Sequence, residues 1–174
     1  MKLLRVTSPQ MRVLSRELRE TVSVAALFEN HSEVISVIES SEVIRMINVI
    51  GHILPPNASA LGKVITAFQP EARRERLLRS YGIYRFTPNT IIDEFELSRT
   101  FERIREQGYA EDLEESVLEG VCFAVPIFAE SGEVPAALST SIPKVRVRGR
   151  EHVESILTAL KACAAQIGAD LAAS

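Results

Sequence analysis

Tryptophan is absent from this chain, only two cysteines occur in 174 residues, and aromatic residues make up only 6%. Two thiols, Cys122 and Cys163, exclude the disulfide framework of small secreted domains, and neither has neighbours at metal-ligand spacing. No uninterrupted apolar run approaches the roughly 20 residues that span a bilayer. The opening Met1-Lys-Leu-Leu-Arg-Val lacks the extended apolar stretch of a signal peptide. Nor is there an excess of basic charge: 20 Lys and Arg stand against 23 Asp and Glu, a net charge of -3, so no global field recruits nucleic acid. These absences predict a soluble protein of a reducing, cytoplasmic compartment, with no membrane partner. Length and composition (46% apolar, 25% charged) fit one ordinary domain spanning 1–174 with a sizeable core.

The most informative stretch present is Gly120 to Ser141, which reads as a β-hairpin with two chemically distinct faces. Val121, Phe123, Val125 and Ile127 alternate with Cys122 and Ala124. In the second arm, Val134, Ala136, Leu138, Thr140 and Ile142 alternate with Ala137, Ser139 and Ser141. Glu130-Ser131-Gly132-Glu133 supplies the turn. One face is suited to a core, the other either to a shallow polar cavity lined by small residues or to a covering helix.

Elsewhere, Ser8-Pro9 reads as a helix start running to about Glu20, the serine capping and the proline at the first helical position. Strands are expected over 21–28, 33–38 and 44–50, and helices over 59–68, 71–80, 93–106 and 150–171. The last helix carries Val153, Ile156, Leu157, Leu160, Ala164, Ile167 and Leu171 on one stripe. Hairpins flanking a run of helices predict an α+β fold with an antiparallel sheet. There is no internal repeat or linker.

Catalytic signatures fail one by one. Gly62-Lys63 lacks the earlier glycine and the following hydroxyl of a phosphate loop, having Asn57 and Val64 instead. His31, His52 and His152 form no ligand pair, and no Gly-x-Ser-x-Gly elbow occurs. The sequence therefore implies no metal and no cofactor. Asp112, Glu114 and Glu115 form an acidic cluster before the hairpin, read either as an exposed loop or as an acid–base pair; Cys122 reads as a small buried thiol. The start of the helix at Ser59 leaves the N–H groups of Ala60 and Leu61 without helical acceptors, a place suited to a carboxylate. Lys144-Val-Arg-Val-Arg-Gly-Arg150 is a basic run that either touches phosphates or simply leads into the last helix.

Five ordered blocks add up to a resemblance: Leu54-Pro55-x-Asn57-Ala58-Ser59-Ala60-x-Gly62-Lys63, Phe86-Thr87-Pro88-x-Thr90-Ile91-x-Asp93, Ile104-Arg105-x-x-Gly108-Tyr109-Ala110-x-Asp112-x-Glu114-Glu115, Gly120-Val-Cys-x-Ala-Val-Pro-Ile-Phe128, and Ala136-Ala-Leu-Ser-x-Ser141-x-Pro143. In register over roughly 160 residues, they resemble the C-terminal effector-binding domain of the IclR family of bacterial transcriptional regulators. The resemblance implies a GAF-like (GAF/profilin-like) fold, with helices on both faces of a central antiparallel sheet. It also implies a pocket for a small organic acid, a homodimer or homotetramer, and a parent protein that binds DNA. DNA contact would come through an N-terminal winged helix-turn-helix domain not in this chain, residues 1–20 continuing as a helix from its linker. Carried onto this sequence, the family pocket comprises Ala60 and Leu61 for the carboxylate, the polar positions Asp112, Cys122, Ser139 and Ser141, and an apolar wall of Val43, Met46 and Leu54. Two residues depart from the pattern: Asn57 stands where the family usually has histidine, and Val121 rather than arginine precedes Cys122. The expected function is ligand sensing. A ligand-free dimerisation module and a small enzyme using Asp112 or Glu114 are the alternatives.

Overall fold

The computed structural model describes residues 2–174. Helix α1 (Lys2–Leu18) leads into the hairpin β1 (Thr21–Leu27) and β2 (Ser32–Ile38). After a long irregular segment come α2 (Ala60–Ala67), α3 (Glu71–Tyr81) and α4 (Glu94–Gln107). Strands β3 (Ala110–Leu113), β4 (Gly120–Ile127) and β5 (Ala136–Pro143) follow, then a 3-10 turn (Lys144–Arg146) and α5 (Gly149–Ala173). The five strands form one antiparallel sheet in the order β2-β1-β5-β4-β3, as the hairpin reading requires. The last strand in the chain, β5, sits at its centre, and all eight of its residues are buried.

Alternation along the strands sorts the core into two layers. Val22, Val24, Phe123, Val125, Ile127, Leu138 and Ile142 point to one face, where Met11 and Leu14 of α1 and Ile156, Leu160, Ala164 and Ile167 of α5 cover them. By length and composition α5 is apolar enough to cross a membrane, although charged residues interrupt it; here its stripe is committed to the sheet and α1. On the other face Ala25, Ala110, Ala124 and Ala137 are small, so α2 lies close against the strands with α4 packed behind it.

Three local expectations are corrected. The helix does not start at Ser8-Pro9: it is already formed at Lys2, and Pro9 lies inside it. Proline withholds one N–H from the carbonyl of Arg5, an exposed residue that water can serve, so the helix tolerates it. Residues 44–50 are not a strand but an irregular strap, because among the described residues no strand edge meets their backbone; further on, Ile53 makes an isolated bridge to Glu33. Third, the acidic cluster is not an exposed loop. Asp112 is on the short edge strand β3, and both it and Glu115 are buried.

Candidate functional site

The small-residue face of the sheet is graded in polarity. Cross-strand pairing aligns Thr21, Ser141, Cys122 and Asp112 in one row, Ser23, Ser139, Ala124 and Ala110 in the next, and Ala25, Ala137 and Pro126 in a third. Helix α2 covers the apolar end of this gradient. The polar end is left to a cavity of about 410 Å³, roofed by the strap and closed at one side by the start of α2. Larger grooves of about 590 and 680 Å³ lie along α5 and between α3 and α4, but neither joins a helix N-terminus to a row of hydroxyls.

Ser59 sets the geometry of the helix start. Its Oγ accepts the N–H of Gly62 at 2.9 Å, and its carbonyl accepts that of Lys63 at 2.9 Å. The N–H groups of Ala60 and Leu61 are left without a protein acceptor among the described residues, at the positive end of the helix. Across the cavity, Ser139 Oγ makes no hydrogen bond to another described residue. Ser141 Oγ accepts from Cys122 Sγ at 3.2 Å and from Asn48 Nδ2 at 3.1 Å. Spare donors therefore face the cavity from two sides, and among the described residues no lysine or arginine lines it.

Asp112 Oδ1 accepts the backbone N–H groups of Glu115 at 2.7 Å and Ser116 at 3.1 Å. Behind it, Lys63 Nζ donates to Glu115 Oε1 at 2.5 Å and to the Glu111 carbonyl at 2.6 Å, a buried pair tying α2 to the loop after β3. Burial pushes both carboxyls above their usual range, against the opposing pull of the Lys63 charge and of the N–H groups they accept. The Cys122 thiol is pushed up to about 12, chiefly by burial and then by the neighbouring Asp112 charge, so it is an inert thiol rather than a nucleophile.

Eight of the nine residues expected at a pocket line this cavity: Ala60, Leu61, Asp112, Cys122, Ser139, Ser141, Met46 and Leu54. The ninth, Val43, does not; it is 92% exposed on the outer side of the strap, and Ile47 and Val49 take its place in the wall. Sequence reasoning passed over Asn48 on the strap, His52 just after it, Tyr81 and Phe86, and Ser116 beside Asp112. Asn48 carried a usable signal, as a lone amide in an aliphatic run. Asn57 stays out of the cavity: it is fully buried, and its Nδ2 donates to the carbonyls of Tyr84 and Ile91, fastening the loop before α4. The basic run is engaged in ion pairs, Arg146 with Glu20 and Lys144 with Glu114, and leads into α5.

An antiparallel sheet with helices on both faces and a cavity at the polar end of one of them defines a small-molecule-binding domain. Comparison with known proteins says which. Residues 1–169 match the family described as bacterial transcriptional regulator IclR, C-terminal. The chain is 38% identical over 170 residues to the HTH-type transcriptional regulator KdgR of Escherichia coli, covering 95% of this chain and 64% of that protein. It is 37% identical over 144 residues to the HTH-type transcriptional repressor AllR of Salmonella typhi, covering 83% and 53%. The crystal structure of the C-terminal domain of E. coli KdgR superposes with a TM-score of 0.88 at 34% identity, covering 99% of each chain. An IclR homologue from Microbacterium hydrocarbonoxydans, solved in complex with 4-hydroxybenzoate, superposes with a TM-score of 0.87 at 28% identity, over 99% of this chain and 69% of that one.

The chain belongs to the IclR family of bacterial transcriptional regulators and is its C-terminal, effector-binding domain, in a family of regulators rather than enzymes. It spans between half and two thirds of the length of the curated relatives it matches.

Proposed function

We propose that this domain senses a small organic carboxylic acid for a DNA-binding regulator of the cytoplasm, and that it assembles as a homodimer or homotetramer. The observation that carries the reading is the convergence of spare donors on one cavity of about 410 Å³. The carboxylate is held by the N–H groups of Ala60 and Leu61 together with the hydroxyls of Ser139 and Ser141. Met46 and Leu54 form the apolar wall. Cys122 and Asp112 close the polar floor. The 4-hydroxybenzoate bound by the Microbacterium relative is an acid of the expected size class. DNA contact belongs to a winged helix-turn-helix domain preceding α1 in the parent protein, with α1 continuing from its linker. Binding acts on DNA by favouring one arrangement of subunits over another, which requires unequal affinity for the two.

The test is a thermal-shift screen of the chain against small carboxylic acids, 4-hydroxybenzoate included, repeated on the double variant Ser139→Leu, Ser141→Leu. A ligand at about 100 times its dissociation constant adds roughly 2.7 kcal/mol, which for this size raises Tm by about 5–11 °C. The expected result is a dose-dependent rise for one chemical class, lost in the double variant while cooperative unfolding is kept. A flat panel, or a rise that the double variant retains, would overturn the reading of this cavity.

A further inference from the structure

The strap that roofs the cavity is held in place unevenly. Upstream, Thr21 Oγ1 donates to the Met46 carbonyl at 2.7 Å, and Arg146 donates to the Ile44 carbonyl. Downstream, Gly51 N–H donates to the Val34 carbonyl at 2.8 Å, and Val34 N–H to that of His52 at 3.0 Å. Between these ties, among the described residues, the backbone of 47–50 makes no hydrogen bond to the body of the domain. Ile47, Val49 and Ile50 are each about two-thirds exposed, at 64%, 65% and 64%, so apolar burial does little to hold them. What crosses the gap is one side chain: Asn48 Nδ2 donates to Ser23 Oγ at 2.7 Å and to Ser141 Oγ at 3.1 Å.

The chemistry of that contact reaches further than the strap. A serine oxygen has two lone pairs and one proton. With Asn48 and Cys122 both donating to it, the acceptor capacity of Ser141 is filled, and its O–H is left without a protein acceptor among the described residues. Ser23 takes the shorter of the two amide contacts, beneath the cavity rather than in its lining, and serves as an anchor for the strap. A neutral amide nitrogen here can only donate, so it presets the polarity of its partners.

We propose that Asn48 is a positioning residue of the effector cavity: its amide pins residues 47–50 over the sheet and fixes the Ser141 hydroxyl as a donor. The cavity so prepared favours an occupant that brings acceptors, a carboxylate or carbonyl, over one that brings O–H or N–H groups. This rests on the acid-sensing reading for the identity of the occupant, but the pinning does not.

The experiment follows isoleucine δ1 methyl resonances in the 174-residue chain and in four variants. In Asn48→Ala, the methyls of Ile47 and Ile50 are expected to shift toward random-coil positions and lose order, with Ile44 and Ile53 unmoved. Ser141→Ala, which removes one acceptor and keeps Asn48, moves the same two methyls less, and judges the pin even if Asn48→Ala fails to fold. Ser139→Ala, outside the contact, moves neither. Asn48→Asp is nearly isosteric but accepts where the amide donated; it keeps the strap in place and reverses the serine hydroxyls, so the acid-induced rise in Tm is lost without loss of fold. Unmoved Ile47 and Ile50 methyls in both Asn48→Ala and Ser141→Ala sink the pin. A Tm rise in Asn48→Asp equal to that of the parent chain sinks the polarity assignment. A flat acid panel with a released strap in Asn48→Ala overturns only the effector reading and leaves the pinning role supported.

Discussion

Lys63 and Asp112 show how the same residue type changes meaning with its surroundings. A lysine beside a glycine near a helix start invites a phosphate reading. Here the residue is only 2% exposed, and its ammonium is consumed by Glu115 and the Glu111 carbonyl. Removing one member of such a pair leaves an uncompensated buried charge, so its value lies in fixing the loop that carries Ser116 beside Asp112 rather than in net stability. Asp112 holds its position at a cost in desolvation, and this has a pH signature. Its folded pKa lies above the ordinary carboxylate value, so in the window between the two the folded state binds more protons than the unfolded state, and stability falls as pH rises through the folded value. Glu115 acts in the same direction. In the variant Asp112→Asn the side-chain amide oxygen can still accept the Glu115 and Ser116 N–H groups, but there is no charge to desolvate. Urea-unfolding free energies measured from pH 4 to pH 8 should therefore decline less steeply in Asp112→Asn than in the parent chain. An equal or steeper decline would show that the Asp112 carboxyl is not the group titrating.

Among the elements, α2 depends on one close approach. A Cβ on Gly62 would stand 2.6 Å from the Pro55 carbonyl oxygen and 2.6 Å from Ser59 Oγ. That carbonyl already accepts the N–H groups of Ala58 and Ser59, so it is fixed backbone and cannot yield cheaply. Helix propensity alone would favour alanine over glycine by about 1 kcal/mol; the clash reverses the sign. Gly62→Ala should lower stability by about 1–3 kcal/mol, read as a lower urea midpoint at unchanged slope, and a raised midpoint would contradict the packing of α2 on the Pro55 turn. Elements with such built-in punctuation were legible in the sequence. Ser59 and Asp93, read as the first residues of helices over 59–68 and 93–106, are the N-caps of α2 and α4, and Gly108 ends α4 in the left-handed region. The strap was not legible, because Ile, Val and an alternating pattern describe a strand only where a partner edge exists, and pairing is not a local property. Nor did Ser8-Pro9 act as a punctuation mark, since the tertiary contacts of α1 outweigh one missing N–H. Four-residue β3 was too short to declare itself, and with it the burial of Asp112.

At the scale of the whole molecule the sheet separates two jobs. Its bulky face, under α1 and α5, carries most of the large buried side chains; its small-residue face, under α2 and α4, leaves room for a cavity. The alternation of large and small residues in β4 and β5 announced this division directly, and with it the antiparallel α+β fold and the face that carries Cys122, Ser139 and Ser141; Ala60 and Leu61 were legible from the start of a helix, while Asp112, Met46 and Leu54 were placed at the cavity only by the family resemblance. Val43, carried over in the same way, lies outside the cavity. The division also makes an energetic claim. Leu160 of α5 and Leu97 of α4 are 0% and 1% exposed, in different clusters on opposite sides of the sheet. Truncating either to alanine should cost about 2–5 kcal/mol. Sites that share no partners add to within roughly 0.5 kcal/mol, whereas coupled ones depart by up to about 3 kcal/mol. Urea denaturation of Leu160→Ala, Leu97→Ala and the double variant should therefore close as a simple sum. A large excess or shortfall would mean that strain crosses the sheet, and that the layer under α1 and α5 takes part in shaping the cavity instead of only supporting it.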